Sequence, residues 1–263
     1  MPHPNRPAGP GAGGPDRSTL GRVGFESASD VYERARPDYS PEALRTLTDL
    51  GRIGAGTRVL DLAAGTGKLT RQLAARGVRC VAVEPSASMR QVFAEVVPGV
   101  PVAGGTAEAI PLGDRTVDAV VVAQAFHWFD TPEALAEMVR VLRPGGTLSL
   151  IWNERDESDP MVAELVRISK WDTHQPYPVG RDFGPSIDAS GRFGPVTRTL
   201  GSFVQWLSRE AFVEQVASRS YVRVLDDDAR AALLGEVADF AATLDEPIGM
   251  PYRSDLFTAT LRG

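Results

Sequence analysis

Short apolar runs alternate with helix-like segments from about residue 57 to residue 152. Runs such as TRVLDL, VRCVAVE and TLSLIWN are typical of strands, and segments such as GKLTRQLAARG and TPEALAEMVRVL are typical of helices. The run TVDAVVVAQ is almost continuously apolar, as expected for a strand with helices on both faces of its sheet. This alternation predicts an α/β fold with a doubly wound, parallel sheet.

The parts of the chain outside this alternation predict the domain organisation. Residues 1–24 are rich in Pro and Gly and predict a flexible tail, and residues 25–263 predict a single domain. Within it we expect an N-terminal helical cap over residues 25–51 and a lid-like insertion over about residues 153–195, of which 173–195 form a long loop. The remaining elements are expected to be the helices SREAFVEQVASRS and DDDARAALLGEVADFAATL and the strands VTRTLGSFVQWL and DLFTATLRG.

Composition excludes several classes of protein. The 263 residues carry a net charge of -6 without a basic block, so we expect no nucleic-acid partner. No segment reaches the length of a membrane span, and no secretory signal is recognisable. The single cysteine, Cys80, excludes an internal disulfide, and no Cys/His cluster has metal-ligand spacing, so we expect no metal. We therefore expect a cytoplasmic protein. We also expect a monomer or a homodimer.

The stretch DLAAGTGKLT, directly after the strand RVL, has the glycines of a nucleotide-binding loop. The P-loop pattern fails, because it requires a glycine and a hydroxyl side chain where this chain has leucines. The dinucleotide pattern is met by Gly65 and Gly67, but Thr70 stands at its third glycine. Asp61, at the end of the strand, would repel a pyrophosphate and attract a ligand that carries cations.

A second carboxylate, Glu84, ends the next strand of the alternation, 23 residues after Asp61. A carboxylate at this place can accept hydrogen bonds from both hydroxyls of a ribose. NAD would explain Glu84 equally well, and Glu84 can also simply begin the following helix at Pro85.

Four motifs together resemble the class I S-adenosylmethionine-dependent methyltransferases: VLDLAAGTGKLT, VAVEPSASM, GTAEAIPLGDRTVDAVVVAQAFHWFD and EMVRVLRPGGTLSLIWN. They span about residues 56 to 153. The segments AQAFHWFD and YERARPDYS are similar to sequences of the type 11 small-molecule branch, which includes trans-aconitate methyltransferase-like proteins. The resemblance implies a Rossmann-like, seven-stranded, mostly parallel sheet with helices on both faces and an antiparallel C-terminal strand. It also implies S-adenosylmethionine as cofactor and S-adenosylhomocysteine as product.

The resemblance implies a set of cofactor-binding residues. Gly65 and Gly67 would let the backbone approach the cofactor, and Glu84 would hold its ribose. Ala63 replaces the first glycine of the family loop and is expected to keep a negative φ, at little cost. Glu108 would contact the adenine, although it would also suit a solvated loop. The implied residues are Asp61, Ala63, Gly65, Gly67, Glu84, Pro85, Met89, Ala107, Glu108 and Gln124.

Four residues are candidates for substrate binding. Tyr32 and Arg36 are four apart and share one face of the first helix. Arg36 would pair with the carboxylate of the cofactor or of a substrate, or be an ordinary surface arginine. His127 and Trp128 follow the fourth strand, at the sheet edge where ligands bind. His127 is a candidate general base, and the alternative is that it only forms part of the wall.

Two later segments are also expected to reach the substrate. The aromatic side chains of residues 173–195, with Trp152 and Trp171, would cover an apolar or aromatic substrate, although they also suit a core. The stretch SRSY at residues 218–221 would face the substrate at the end of a helix.

The function expected from these observations is SN2 methyl transfer to an oxygen, nitrogen or carbon of a small molecule. One alternative is carboxyl O-methylation of an acidic metabolite, with Arg36 and Arg181 binding the acid. An alternative of another class is an S-adenosylmethionine-binding protein with a non-methylating role. Methylation of RNA or DNA conflicts with the acidic balance of the chain.

Overall fold

A computed structural model describes residues 36–171 and 180–263. The helix expected over residues 26–35 lies outside these ranges, as does Tyr32. The described residues form a seven-stranded sheet in the order β3-β2-β1-β4-β5-β7-β6. The strands are β1 Arg58–Leu62, β2 Arg79–Val83, β3 Val102–Ala103, β4 Val117–Ala123, β5 Leu142–Arg155, β6 Thr197–Leu207 and β7 Ile248–Thr260.

The helices of the described residues connect these strands and cover the sheet. They are α1 Pro41–Leu50, α2 Lys68–Ala74, α3 Ala87–Val96, α4 Pro132–Val141, α5 Pro160–Ser169, α6 Gly184–Ala189, α7 Arg209–Ala217, α8 Ser220–Arg223 and α9 Asp227–Ala242. A short 3-10 helix, Phe126–Trp128, follows β4. No helix in the described ranges is long and apolar enough to cross a bilayer.

The sheet topology confirms the expected doubly wound fold. Strands β1 to β5 pair in parallel, whereas β7 pairs antiparallel to both β5 and β6. The chain runs outward from β1 through β2 to β3 and then returns to place β4 on the other side of β1. Ligands of open α/β sheets bind beside such a reversal, at the carboxyl ends of the strands.

Local sequence explains where the helices begin. The side chains of Ser40, Ser86, Thr131 and Ser208 each accept a hydrogen bond from the backbone N–H three residues ahead. Each therefore satisfies an N–H that the first helical turn leaves without an intrahelical acceptor. Proline at the first position of α1 and α4 reinforces the start, because its φ is already helical.

Helices on both faces of the sheet bury the middle of the central strand β4. Val120 and Val122 belong to the core cluster on one face, and Ala119 and Val121 belong to the cluster on the other. All four side chains are at most 1% exposed. The apolar run of this strand is therefore explained, as expected from the sequence, by helices that cover both faces of the sheet.

The segment expected as a long loop before β6 is partly helical and partly core. Helix α6 occupies residues 184–189, and Phe183 just before it is 2% exposed. Trp152 on β5 is 1% exposed and stacks on the Phe183 ring with centroids 4.4 Å apart. Of the two roles that suited Trp152, a lid or the core, the structure shows the core, because its ring packs among buried side chains. Residues 172–179 of this segment lie outside the described ranges.

Candidate cofactor and substrate site

A cavity opens at the carboxyl ends of β1, β4 and β5. Its walls are residues 36, 37 and 39, the loop 63–66 after β1, residues 123–124 at the end of β4, Asn153 on β5 and Tyr252 on β7, together with Lys68 and Leu69 at the start of α2. The cavity thus lies where the chain reverses its direction across the sheet, at the edge where a ligand was expected.

The loop after β1 contains three residues in the left-handed region: Ala63 (φ 57°), Gly65 (φ 58°) and Gly67 (φ 89°). The expectation that Ala63 keeps a negative φ was wrong. A Cβ on Gly65 would meet only the Sδ of Met89, at 3.8 Å, so the space beside Gly65 is open. A Cβ on Gly67 would lie 2.6 Å from Val97, so Gly67 lets the loop pack closely on α3.

Gln124 is a second non-glycine residue in the left-handed region at this cavity, with φ 60°. Its backbone N–H donates to the carbonyl of Ile151 at 2.9 Å, and its Nε2 donates to the carbonyl of Asn153 at 3.0 Å. Both bonds tie the end of β4 to β5. Strained backbone of this kind costs about 1–3 kcal/mol per residue and clusters at functional sites. Ala63 and Gln124 therefore place strained backbone at this cavity.

Glu84 connects the loop after β1 to the end of β2. Its Oε2 accepts from the Gly65 N–H at 2.9 Å, and its Oε1 accepts from the Ser86 N–H at 2.8 Å. Burial raises the pKa of Glu84, and these two hydrogen bonds oppose that rise. Each oxygen keeps a second lone pair that can accept a hydroxyl of a ligand.

Asp61 lies beneath the loop and is fully buried. Thr70 Oγ1 donates to its Oδ2 at 2.5 Å, whereas its Oδ1 has no hydrogen-bond partner among the described residues. Burial raises the pKa of Asp61 to about 7, against the effect of the Thr70 bond and helped by the nearby charge of Glu84. A cation bound at the loop would favour the ionised carboxylate, so this environment fits a positively charged ligand.

The other expected cofactor residues are not among the described residues that line the cavity, although the Met89 side chain approaches Gly65. Met89 and Ala107 are buried, at 6% and 5% exposure, whereas Pro85 and Glu108 are exposed. The guanidinium of Arg90 donates to the carbonyl oxygens of Glu84 and Pro85, both at 2.8 Å, and so fixes the turn after β2.

The expected substrate residues do not all meet at the cavity. Arg36 lines it, but His127 and Trp128 are not among the described residues that form its walls. Burial, and then the charge of Arg181, lowers the pKa of His127 to about 3, so its imidazole is neutral and weakly basic near pH 7. Trp128 is 41% exposed, and Arg181 donates to Asp130 at 2.7 Å.

The sequence did not single out Asn153 and Tyr252, which line the cavity. Asn153 is held by Ser254, whose hydroxyl donates to its Oδ1 at 2.9 Å. Its position after the apolar run TLSLIW was a signal that could have identified it, because polar residues at the carboxyl ends of parallel strands meet at one edge. Tyr252 had no such signal, since it reaches the site through antiparallel pairing.

Beyond Tyr252 the polar groups continue into a buried arginine cluster, defined here as Arg155, Arg219 and Gln215. The Nη2 of Arg155 and the hydroxyl of Tyr252 both donate to Gln215 Oε1, each at 3.2 Å. The Arg219 guanidinium lies over the Trp171 ring, 4.4 Å from its centroid. Of this cluster, only Arg219 lies in the stretch SRSY that was expected to face the substrate.

Comparison with known proteins identifies the family. The profile of a family described as "Methyltransferase domain" matches residues 60–150. An uncharacterized methyltransferase of Mycobacterium tuberculosis is 41% identical over 247 residues, covering 91% of this chain and 96% of the relative. A demethylmenaquinone methyltransferase of Mycolicibacterium paratuberculosis is 43% identical over 125 residues, covering 47% of this chain and 52% of the relative.

Solved structures support the fold. A structure from Anabaena variabilis, named for a methyltransferase of an antibiotic biosynthesis pathway, matches with a TM-score of 0.62 and 22% identity over 84% of this chain and 98% of its own. With the full-length similarity to the mycobacterial relative, the chain belongs to the class I S-adenosylmethionine-dependent methyltransferases. The open space beside Gly65, the lone pairs of Glu84 and the buried carboxylate of Asp61 fit that cofactor.

Proposed function

We propose that this methyltransferase transfers a methyl group to an oxygen, nitrogen or carbon atom of a small molecule. The observation that carries the proposal is the arrangement of the cavity. The loop with Gly65, which is tied to Glu84, lines the cavity together with Arg36, Asn153 and Tyr252. The cofactor is then proposed to rest on the loop, with the methyl acceptor beside these three polar side chains.

The residues on the loop side are proposed to hold the cofactor. Glu84 would accept the ribose hydroxyls, Gly65 would admit the cofactor to the backbone, and Asp61 would favour its positive charge. Pro85, Met89, Ala107 and Glu108 would surround the adenine, and Ala63, Gly67 and Gln124 would shape the methionine end. When bound, S-adenosylmethionine supplies a methyl carbon whose bond to sulfur breaks, with its electron pair staying on sulfur, as the acceptor lone pair forms the new bond.

The protein's own contribution is proposed to be positioning and exclusion of water. Holding two reactants in contact contributes up to about 7–11 kcal/mol to a reaction. A general base is needed only where the acceptor must lose a proton. With a pKa of about 3, His127 is a weak base, so we assign it a structural role in the 3-10 helix after β4 rather than a role in proton transfer.

The finer assignment is to the type 11 small-molecule branch with the trans-aconitate methyltransferase-like proteins. Arg36 at the cavity favours the second candidate, carboxyl O-methylation of an acid, in which Arg36 binds the acidic substrate. A quinone substrate is not carried over from the demethylmenaquinone relative, because that similarity covers about half of each chain.

The test is to incubate the protein with methyl-labelled S-adenosylmethionine and a small-molecule extract of its source cells, and to search for labelled products by mass spectrometry. Glu84→Gln should abolish the labelled product, because the amide replaces one acceptor oxygen with an NH2 group and removes the negative charge at the ribose site. Glu164→Gln is the matched control, since Glu164 lies on α5, where it pairs with Arg167. Tight binding of S-adenosylhomocysteine without any labelled product would overturn the proposal in favour of a non-methylating role.

A further inference from the structure

Two arginines beside the cavity are buried without a counter-charge in the part of the chain that the structure describes. Arg155 is 6% exposed and Arg219 is 8% exposed. The Nε atoms of both are buried without a hydrogen-bond partner, and the described residues supply no carboxylate to either. Other arginines of the fold each contact a carboxylate within 2.8 Å, namely Arg140, Arg143, Arg181 and Arg198.

The charges at this place also repel one another. Burial, followed by the charges of Arg36 and Arg155, lowers the pKa of Arg219. A guanidinium nonetheless keeps its proton in proteins, so positive charge accumulates here without a carboxylate from residues 36–171 or 180–263. Leaving a charge buried and unpaired is costly, and only part of this cost is offset by the Trp171 ring and by Gln215. An arrangement of this kind is completed when an anion binds.

The arginine cluster continues the cavity outward along β5. Asn153 lines the cavity, and Arg155 follows two residues later on the same face of the strand, about 7 Å further along. Tyr252 also lines the cavity, pairs with Arg155 across the sheet, and shares the Gln215 carbonyl with it. A molecule of ordinary metabolite size therefore spans the distance from Asn153 to the cluster.

We propose that Arg155 and Arg219 bind an anionic group, a carboxylate or a phosphate, of the small molecule that the protein methylates. This inference rests on the proposed function and names its substrate class. The bound anion is an anchor and not the methyl acceptor, because charge-assisted hydrogen bonds occupy the lone pairs that would attack. The acceptor is a different atom of the substrate, on the side of Gln124 and Asn153. Arg181 has no part in this, since Asp130 already neutralises it.

Anion binding is tested by calorimetric titration of the full chain saturated with S-adenosylhomocysteine. The probes are glutarate, inorganic phosphate and the neutral analogue glutaramide, at constant ionic strength. We expect one of the two anions to bind and glutaramide not to bind. Binding of glutarate would identify a carboxylate as the anionic group of the substrate, and binding of phosphate would identify a phosphate. Arg219→Met should weaken that binding at least tenfold, because it removes a charged hydrogen-bond donor. Equal binding by the variant, or no anion binding by the wild type, would overturn the inference.

Thermal unfolding of the free protein is a second test, in which the substitution that weakens anion binding should increase stability. Arg219→Met should raise Tm, because it removes an unpaired buried charge and keeps a side chain of similar length. The matched control is Arg198→Met, which should lower Tm because it leaves Asp255, only 4% exposed, without its partner. A fall in Tm for both variants would mean that the chain itself supplies a counter-charge to Arg219, and the inference would fail.

These measurements separate this inference from the proposed function. If labelled product forms but Arg219→Met changes neither KM nor kcat, the methyltransferase proposal stands and the anion site is refuted. If an anion binds through Arg219 but the wild type yields no labelled product, the anion site stands and the proposed methyl transfer is refuted. If both hold, Arg219→Met should raise KM at least tenfold and affect kcat less.

Discussion

Replacing Asp61 with Asn should stabilise the free protein in a pH-dependent manner. The amide has nearly the same shape and still accepts the Thr70 hydroxyl, but it cannot ionise. Burial raises the pKa of Asp61 from 3.8 to about 7 in the folded protein. The folded-state pKa of Asp61 therefore lies above its unfolded value. Below about pH 4 the carboxyl group is protonated in both states and does not destabilise the fold, and the free energy of unfolding falls as the pH rises to about 7.

The size of the effect follows from the two pKa values. A shift from 3.8 to about 7, at about 1.36 kcal/mol per pKa unit, gives a full penalty of about 4 kcal/mol above neutral pH. The penalty is about 1.7 kcal/mol at pH 5 and about 4.3 kcal/mol at pH 8. The advantage of Asp61→Asn over the wild type should therefore grow by about 2.6 kcal/mol between these pH values, whatever constant offset the amide introduces.

Urea denaturation of both proteins at these pH values, without cofactor, measures this difference. The control is Asp118→Asn, whose difference from the wild type should stay nearly constant between these pH values. Burial raises the pKa of Asp118, but hydrogen bonds from the Arg58 N–H and from Arg143 together outweigh that rise, so its pKa is lowered and the carboxylate is ionised in both states throughout this range. A constant difference between wild type and Asp61→Asn across the range would show that Asp61 ionises normally in the folded state, and would refute the reasoning.

Three further predictions concern the same site. Gly67→Ala should cost about 2–4 kcal/mol in unfolding free energy, and Gly99→Ala only about 1–2 kcal/mol, because both have positive φ but only a Cβ on Gly67 would clash; equal losses in urea denaturation would contradict this. Ala63→Gly should raise the unfolding free energy by about 0.5–1 kcal/mol, because glycine adopts φ 57° without strain; a loss of stability in the same assay would count against the strain at this position. The pH profile of kcat/KM should show no inflection that His127→Gln removes between about pH 5 and 8, because the pKa of His127 is about 3; such an inflection would restore His127 as the base.

The sequence predicted most of the fold because its signals are local. Helix caps at Ser40 and Thr131, and the alternation of apolar runs with amphipathic segments, depend on neighbours along the chain, and the structure contains them. The loop between residues 173 and 195 was mispredicted in part, since α6 is only six residues long and its Gly and Pro resemble those of a loop. The role of Trp152 also required the tertiary structure, because an aromatic side chain suits a core and a lid equally.

For the site, the sequence alone determined the two carboxylates, the glycine loop and the edge of the sheet at which they meet. Parallel strands bring their carboxyl ends together, so residues such as Asp61 and Glu84 could be placed from the order of the elements. The tertiary structure alone decided the positive φ of Ala63 and the meeting of Arg155 with Arg219. These features depend on contacts between segments far apart in the chain, which neighbouring residues along the sequence do not specify.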